Sequence, residues 1–217
     1  MKVIEMFDSI DGEGIFAGCL ATFIRLAGCN IRCSYCDTLY AMDIANAKEM
    51  SVNEILNECK KIGNQHITLT GGEPLIHKDV DKLVDILCDN GFFVNIETNG
   101  TIDFEKYRRN NVIITMDYKT ISSGENSRMS ASRIELLRPC DVLKIVCEES
   151  DFENVEVMLR SCNIRSRVFL SPAFGKINPQ ELVTFAKRIR DSKTFAGDLR
   201  VQLQLHKIIW NPNERGV

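Results

Sequence analysis

Short runs of apolar residues recur along this chain and are separated by segments with a different, helical periodicity. The runs are rich in Val, Ile, Phe and Thr and end near Gly, Asn or Pro, which is typical of β-strands. They predict strands over Val3–Asp8, Ala21–Leu26, His66–Thr70, Phe92–Thr98, Val112–Asp117, Val142–Cys147, Val168–Ser171 and Val201–Ile209.

Apolar residues that recur every three or four positions predict helices between these strands. The helices are expected over Ser51–Ile62, Lys78–Asn90, Phe152–Arg160 and Pro179–Arg190. Ser51 and Glu54 have the spacing of a capping box, and Pro179 suits the first turn of a helix. The alternation of strands and helices favours an α/β fold with parallel pairing, whose chemistry lies at the carboxyl ends of the strands.

Composition narrows the class of protein. The chain has 217 residues and a formal net charge of −3, which argues against a broadly basic surface for nucleic acid. It contains no internal repeat, low-complexity tract or linker, so a single domain over residues 1–217 is expected. No apolar run approaches the ~18 residues that span a bilayer, and the acidic N-terminal segment does not resemble a signal peptide. We therefore expect a cytoplasmic protein that binds neither membranes nor nucleic acid.

Nine cysteines are present, and three of them form the pattern C-x3-C-x2-C. Cys29, Cys33 and Cys36 follow a predicted strand, and three thiolates on one loop can converge on a soft metal centre. Structural zinc sites have four protein ligands, whereas three thiolates on a [4Fe–4S] cluster leave one iron open. The other six, which we expect to be small buried hydrophobic residues, are Cys19, Cys59, Cys88, Cys140, Cys147 and Cys162.

A second candidate loop, Thr70-Gly-Gly-Glu-Pro74, follows the next strand along the chain. Its glycines allow the backbone to approach a ligand closely, and the Glu73 carboxylate can accept hydrogen bonds from an ammonium group. By itself the segment could also be an ordinary turn. Further polar side chains at predicted strand ends include Glu97, Asp117 and Ser171.

The cysteine pattern, with Tyr35 before its last cysteine, resembles the signature of the radical S-adenosylmethionine (SAM) superfamily. The glycine loop resembles the segment that holds the SAM amino group in that superfamily. This resemblance implies a [4Fe–4S] cluster whose open iron binds SAM, and hydrogen abstraction from a substrate.

Motifs near both ends narrow the resemblance to one family. Residues 7–14 and 23–29, Cys36-Asp-Thr38, residues 201–210 and the final Arg215-Gly-Val217 resemble the 7-carboxy-7-deazaguanine synthase family. That implies conversion of 6-carboxy-5,6,7,8-tetrahydropterin to 7-carboxy-7-deazaguanine with loss of ammonia, using the cluster, SAM and Mg²⁺. It also implies an abbreviated, modified partial (β/α) barrel, a homodimer, and an external electron donor of flavodoxin or ferredoxin type.

The same resemblance implies roles for individual residues. Cys29, Cys33 and Cys36 would ligate the cluster, and the Thr38 hydroxyl would ligate Mg²⁺. SAM would be bound by Tyr35, Cys36, Asp37, Gly72, Glu73, Asp117, Tyr118, Lys119 and Ser171. The substrate would be bound by Ile10, Asp11, Gly12, Glu13, Arg25, Thr70 and the Val217 carboxylate. No side chain is expected to act as a catalyst beyond the chemistry that the cofactors carry.

Other interpretations stay open at this point. Asp11 stands where the family usually has Gln, and the segment around Ser171 departs from the family pattern. Glu13 could belong to an exposed turn, Arg25 to a surface ion pair, and Thr38 to a turn cap. His206 could be a core histidine. For the whole chain, the alternatives are an activase of glycyl-radical enzymes and a non-catalytic iron–sulfur or zinc module.

Overall fold

The structure, a computed structural model, describes all 217 residues. Its strands β1–β9 cover Lys2–Ile10, Leu20–Leu26, Lys48–Glu49, His66–Gly71, Phe93–Thr98, Val112–Lys119, Val142–Cys147, Arg167–Pro172 and Leu199–Val201. Its helices α1–α6 cover Val52–Ile62, Val80–Asp89, Ala131–Glu135, Phe152–Ser161, Pro179–Asp191 and His206–Ile209. The capping box of Ser51 with Glu54 and the position of Pro179 in the first turn of α5 are confirmed.

All nine strands form one sheet in the order β3-β1-β2-β4-β5-β6-β7-β8-β9. From β2 to β9 every neighbouring pair is parallel, whereas β1 runs antiparallel to both β2 and β3. The edge strands β3 and β9 do not pair with each other, so the barrel is open. The predicted α/β class and partial barrel are confirmed.

Alternate residues of the parallel strands face two different environments, because successive side chains of a strand point to opposite sides. In β4, Ile67 and Leu69 join the hydrophobic core, while Thr68 and Thr70 face the other side. In β6, Tyr118 belongs to the core, whereas Asp117 and Lys119 do not. The sequence thus sorts apolar side chains towards the helices and polar side chains towards the barrel interior.

The last predicted strand, Val201–Ile209, is wrong in most of its length. Strand β9 ends at Val201, and residues from His206 form the short helix α6. The alternation of Gln and Leu after Val201 resembles a strand. The glutamines instead reach other partners, with Gln202 accepting from Gly14 N at 2.7 Å and Gln204 donating to Glu13 at 3.3 Å.

The expectation that all six remaining cysteines are buried also needs correction. Cys59 and Cys147 are buried, and Cys88 and Cys162 are half-buried. Cys19 and Cys140 are exposed, because they lie in turns that precede β2 and β7 and not on an apolar face.

No helix in the structure is both long enough and apolar enough to cross a membrane.

Candidate active site

A cavity of about 730 Å³ lies at the carboxyl ends of the parallel strands. It is bounded by the loops that follow β1, β2 and β4, by the polar faces of β5–β7, and by the final residues of the chain. The predicted site residues that line it are Ile10, Asp11, Gly12, Glu13, Arg25, Cys29, Cys33, Tyr35, Cys36, Asp37, Thr38, Thr70, Gly72, Asp117, Lys119 and Val217. Glu73, Tyr118 and Ser171 do not line the cavity.

The loop that carries Cys29, Cys33 and Cys36 follows β2 and is fixed by hydrogen bonds. The Arg32 guanidinium donates to the carbonyl oxygens of Cys29 and Ile31, each at 2.8 Å. Ser34 N donates to Ser123 O at 2.9 Å, which ties the loop to the segment after β6. The three thiols therefore face the cavity from a constrained backbone.

These thiols suit an iron–sulfur cluster better than a single ion. All three are free, half-buried and in contact with the same cavity. No three His, Cys, Asp or Glu side chains are grouped closely enough to hold one metal ion. A cluster is ligated at separate irons, so its thiolates stand further apart than the ligands of one ion. Burial raises the pKa of Cys33 to about 11, so binding of a cluster must displace the thiol proton.

The glycines after β4 are required by close packing against the cysteine loop. A Cβ atom on Gly71 would lie 2.2 Å from Leu26 O. A Cβ atom on Gly72 would lie 2.2 Å from Gly28 O and 2.7 Å from Cys29 Cβ. The backbone of the glycine loop therefore borders the cavity directly beside Cys29.

Glu73 lies beneath this loop and is fully buried. Its carboxylate accepts hydrogen bonds from Leu75 N at 3.0 Å, Thr98 Oγ1 at 2.9 Å and Asn99 N at 2.7 Å. Burial raises its pKa to about 7. The carboxylate thus joins the glycine loop to the end of β5, and the binding of SAM by Glu73 stays a prediction.

Asp117 and Lys119 face the cavity from the end of β6 as an ion pair with 2.9 Å between Nζ and Oδ2. Asp117 Oδ1 is buried and has no hydrogen-bond partner in the protein. The Tyr118 side chain points the other way into the core, and the binding of SAM by this residue stays a prediction. Tyr35 lines the cavity, and its hydroxyl donates to Val146 O at 3.2 Å.

Glu13 extends from the loop after β1 across the cavity to the far strands. Its Oε1 accepts from Ser171 Oγ at 2.9 Å, and its Oε2 accepts from Lys144 Nζ at 3.2 Å and from Gln204 Nε2 at 3.3 Å. The Ser171 side chain therefore orients Glu13 and does not line the cavity, and the binding of SAM at this strand end stays a prediction. The exposed-turn interpretation of Glu13 is wrong, because 10% of its side chain is accessible.

Asp11 is buried against the wall of the cavity and has no basic partner within ion-pair distance. Both of its oxygens lie within hydrogen-bond distance of Thr68 Oγ1, at 2.9 and 3.0 Å. Burial raises the pKa of Asp11, and the nearby Glu97 carboxylate adds to this effect, so that the pKa is about 7. Glu97 in turn accepts from Thr70 Oγ1 at 2.9 Å, which orients another predicted substrate residue.

Arg25 faces the cavity from β2 and is paired with Glu5 of β1, with 2.7 Å between Nε and Oε1. This pair engages Nε and leaves the two terminal nitrogens of the guanidinium without a protein partner. Near the same place, Arg215 lies over the ring of Tyr40 at 4.0 Å and Val217 lines the cavity. The end of the chain thus covers one side of the opening.

Thr38 and Asp37 form a small oxygen-rich corner beside the cysteine loop. The Thr38 hydroxyl donates to Asp37 Oδ1 at 3.0 Å. It makes no hydrogen bond that caps the following turn, so the turn-cap interpretation of Thr38 is wrong. Lys207 lies 2.9 Å from Asp37 Oδ2. Burial opposes ionisation of Asp37, but the Lys207 ammonium outweighs it and holds the pKa of that carboxyl below its usual range.

Several residues of the cavity were not predicted as site residues. Lys144 and Gln204 face it from β7 and from the segment before α6, whereas Glu97 of β5 was predicted only as a polar side chain at a strand end. The only signal in the sequence is a charged or polar residue inside an otherwise apolar strand. His206, read as a possible core histidine, lines the cavity and packs against Gly12, where a Cβ atom would lie 2.1 Å from its Nδ1.

Comparison with known proteins agrees with this geometry. The family model of the radical SAM superfamily matches residues 23–189. The chain is 40% identical to 7-carboxy-7-deazaguanine synthase of Clostridium acetobutylicum over all of this chain and 99% of that protein. It is 36% identical to the enzyme of that name from Methanospirillum hungatei, over 98% of this chain and 86% of that one. The crystal structure of QueE from Escherichia coli superposes with a TM-score of 0.73 at 26% identity, covering 94% of each chain.

Proposed function

This chain belongs to the radical SAM superfamily and, within it, to the 7-carboxy-7-deazaguanine synthase family. From that membership we propose the reaction that takes place in the cavity. It converts 6-carboxy-5,6,7,8-tetrahydropterin to 7-carboxy-7-deazaguanine with loss of ammonia. The observation that carries this proposal is one cavity that is lined by three free thiols of one loop, by Glu13 of another loop and by Arg25 of β2. An activase or a non-catalytic module is disfavoured, because relatives similar over the whole chain bear the synthase name.

The cofactors would occupy the part of the cavity next to the cysteine loop. Cys29, Cys33 and Cys36 would hold the [4Fe–4S] cluster. When bound, the cluster and SAM supply one-electron chemistry that removes a hydrogen atom from the substrate. The backbone at Gly71–Gly72 borders this space, and Asp117, which lines it from β6, would bind a polar group of SAM through its carboxylate.

The substrate would occupy the part of the cavity bounded by Asp11, Glu13 and Arg25. A carboxylate has about four acceptor sites, so Glu13 with its three protein donors can still accept from the aminopyrimidinone edge of a pterin. The free nitrogens of Arg25 suit the substrate carboxylate as a two-point partner. Thr70, held by Glu97, would complete the contacts on this side.

Mg²⁺ would bind at the corner formed by Thr38. The ion prefers hard oxygen ligands and keeps several waters, so the Thr38 hydroxyl and oxygens of the substrate suffice. The fit is supported by Asp37, whose oxygen accepts from that hydroxyl and can orient it. The Val217 carboxylate would close the substrate side of the same opening.

Four broader features complete the proposal. The whole chain acts as one catalytic domain, because a single sheet runs from β1 to β9. An external one-electron donor of flavodoxin or ferredoxin type reduces the cluster, and the enzyme works as a homodimer. All nine cysteines are free, which suits a reducing compartment such as the cytoplasm.

The test is anaerobic reconstitution of the cluster followed by incubation with SAM, a reductant, Mg²⁺ and the carboxypterin. Formation of 7-carboxy-7-deazaguanine, detected by mass spectrometry, is the expected result. The Arg25→Lys variant should bind its cluster normally. It should need a roughly tenfold higher concentration of the carboxypterin to reach half of its maximal rate, because a single ammonium cannot replace a two-point contact. No deazaguanine from a protein with its full complement of iron and sulfide would refute the proposal.

A further inference from the structure

Lys144 is the one cation that contacts carboxylates on both sides of the cavity. Its Nζ lies 3.2 Å from Glu13 Oε2 and 3.5 Å from Asp117 Oδ2, and only 10% of its side chain is accessible. Lys144 stands in β7 directly opposite Asp117 in β6, since the two residues are partners in the parallel register. Glu13 arrives from the opposite direction, on the loop after β1.

Each of the two carboxylates also has partners of its own. Glu13 is held by Ser171 and Gln204, and Asp117 is held by Lys119 at 2.9 Å. Lys144 is therefore the only residue that contacts both. We propose that Lys144 is a positioning residue that fixes Glu13 and Asp117 together, so that its charge supports binding of the pterin and of SAM at once. This inference rests on the proposed function, which gives Glu13 to the pterin and Asp117 to SAM.

Charge explains why one lysine can serve both carboxylates. A carboxylate taken out of water needs a cation or several donors, because desolvation otherwise favours its neutral form. Glu97, which also lines the cavity, adds a further negative charge close to Lys144. Burial opposes the charge of Lys144, yet these surrounding carboxylates, Glu13 foremost, raise its pKa well above the ordinary value. The ammonium therefore stays charged, and its removal would leave both carboxylates without their shared cation and less well oriented.

The test measures two equilibrium affinities on anaerobically reconstituted protein, one for SAM and one for the carboxypterin, by calorimetry. Lys144→Met should weaken both by roughly tenfold or more, which corresponds to about 1.4 kcal/mol for each ligand. Gln204→Ala removes a donor to Glu13 and no contact of Asp117, so it should weaken only the binding of the pterin. Lys119→Met removes a partner of Asp117 and no contact of Glu13, so it should weaken only the binding of SAM. Lys144→Arg, which keeps the charge, should restore most of both affinities.

Other outcomes separate the inference from the proposed function. If Lys144→Met changes one affinity or neither while the wild type binds both ligands, the positioning role is wrong and the function stands. If the wild type fails to bind the carboxypterin, the proposed function itself fails. Thermal melting and iron content of each variant check folding. If Lys144→Met does not fold, Lys144→Gln, which keeps a donor but no charge, takes its place with the same expectation.

Discussion

Individual acidic residues of the cavity differ in how their charge is balanced. Asp37, Asp117 and Glu13 each have a lysine within ion-pair distance. Asp11 accepts a hydrogen bond from the Thr68 hydroxyl but has no lysine within ion-pair distance, and the negative charge of Glu97 lies nearby. Burial first, and then the charge of Glu97, therefore raise the pKa of Asp11 to about 7.

Replacement of Asp11 by Asn should make stability less dependent on pH. The pKa of Asp11 rises from 3.8 to about 7 on folding, so between these values the folded protein holds a proton that the unfolded chain has released. Stability then falls as pH rises through this window, with a slope of up to about 1.4 kcal/mol per pH unit from this group. Urea unfolding under anaerobic conditions from pH 5 to 7 should show a shallower fall for Asp11→Asn. The exposed Asp89→Asn is the control, and equal slopes for all three proteins would contradict the prediction.

At the level of elements, the site is formed by loops that pack against one another and are joined by hydrogen bonds. The glycine loop after β4 packs against the cysteine loop after β2, and Glu73 N donates to Gly28 O at 2.8 Å. The carboxylate of the same residue binds the end of β5. Three successive strand ends of the sheet are thereby held in one arrangement around the thiols.

Gly72→Ala should disrupt this contact and reduce cluster binding. The added methyl group would meet backbone atoms of Gly28, which cannot move without displacing Cys29. We expect iron content and the absorbance near ~400 nm to fall to a small fraction of the wild-type values. Gly63→Ala is the matched control. It has a positive φ of 93° but no atom within 4 Å of the new Cβ, so it should cost stability and retain the cluster.

At the level of the whole molecule, nine free cysteines divide into three at the cavity and six elsewhere. The division is not one of burial alone, since the cavity cysteines are half-buried and the others range from buried to exposed. What distinguishes the three is convergence on one space at the mouth of the barrel.

Cys33→Ser should therefore abolish the cluster, whereas Cys140→Ser should leave it intact. A hydroxyl at position 33 is a poor ligand for the soft iron of a cluster, and Cys140 lies exposed outside the cavity. Iron and sulfide analysis of the anaerobically reconstituted proteins measures this directly. Equal iron content in the two variants would show that the C-x3-C-x2-C loop is not the cluster ligand.

Sequence alone determined the elements and much of the chemistry. The helix caps at Ser51 and Pro179, the strand periods and the two motif loops are local patterns, and local backbone preferences and side-chain spacing fix them. A period of two even implies that Tyr118 and Asp117 face opposite sides, although which side is the cavity depends on packing.

Only the tertiary structure decided how distant residues meet. Lys144 and Glu13 are 131 positions apart, and nothing in either local pattern indicates their contact. The same holds for Gln202 and Gln204. Their alternation with apolar residues is typical of a strand, but their side chains form hydrogen bonds with Gly14 and Glu13. The sequence likewise does not indicate that the Glu73 carboxylate accepts hydrogen bonds from the end of β5. Spacing along the chain specifies an element, but the curl of the open sheet determines which side chains share the cavity.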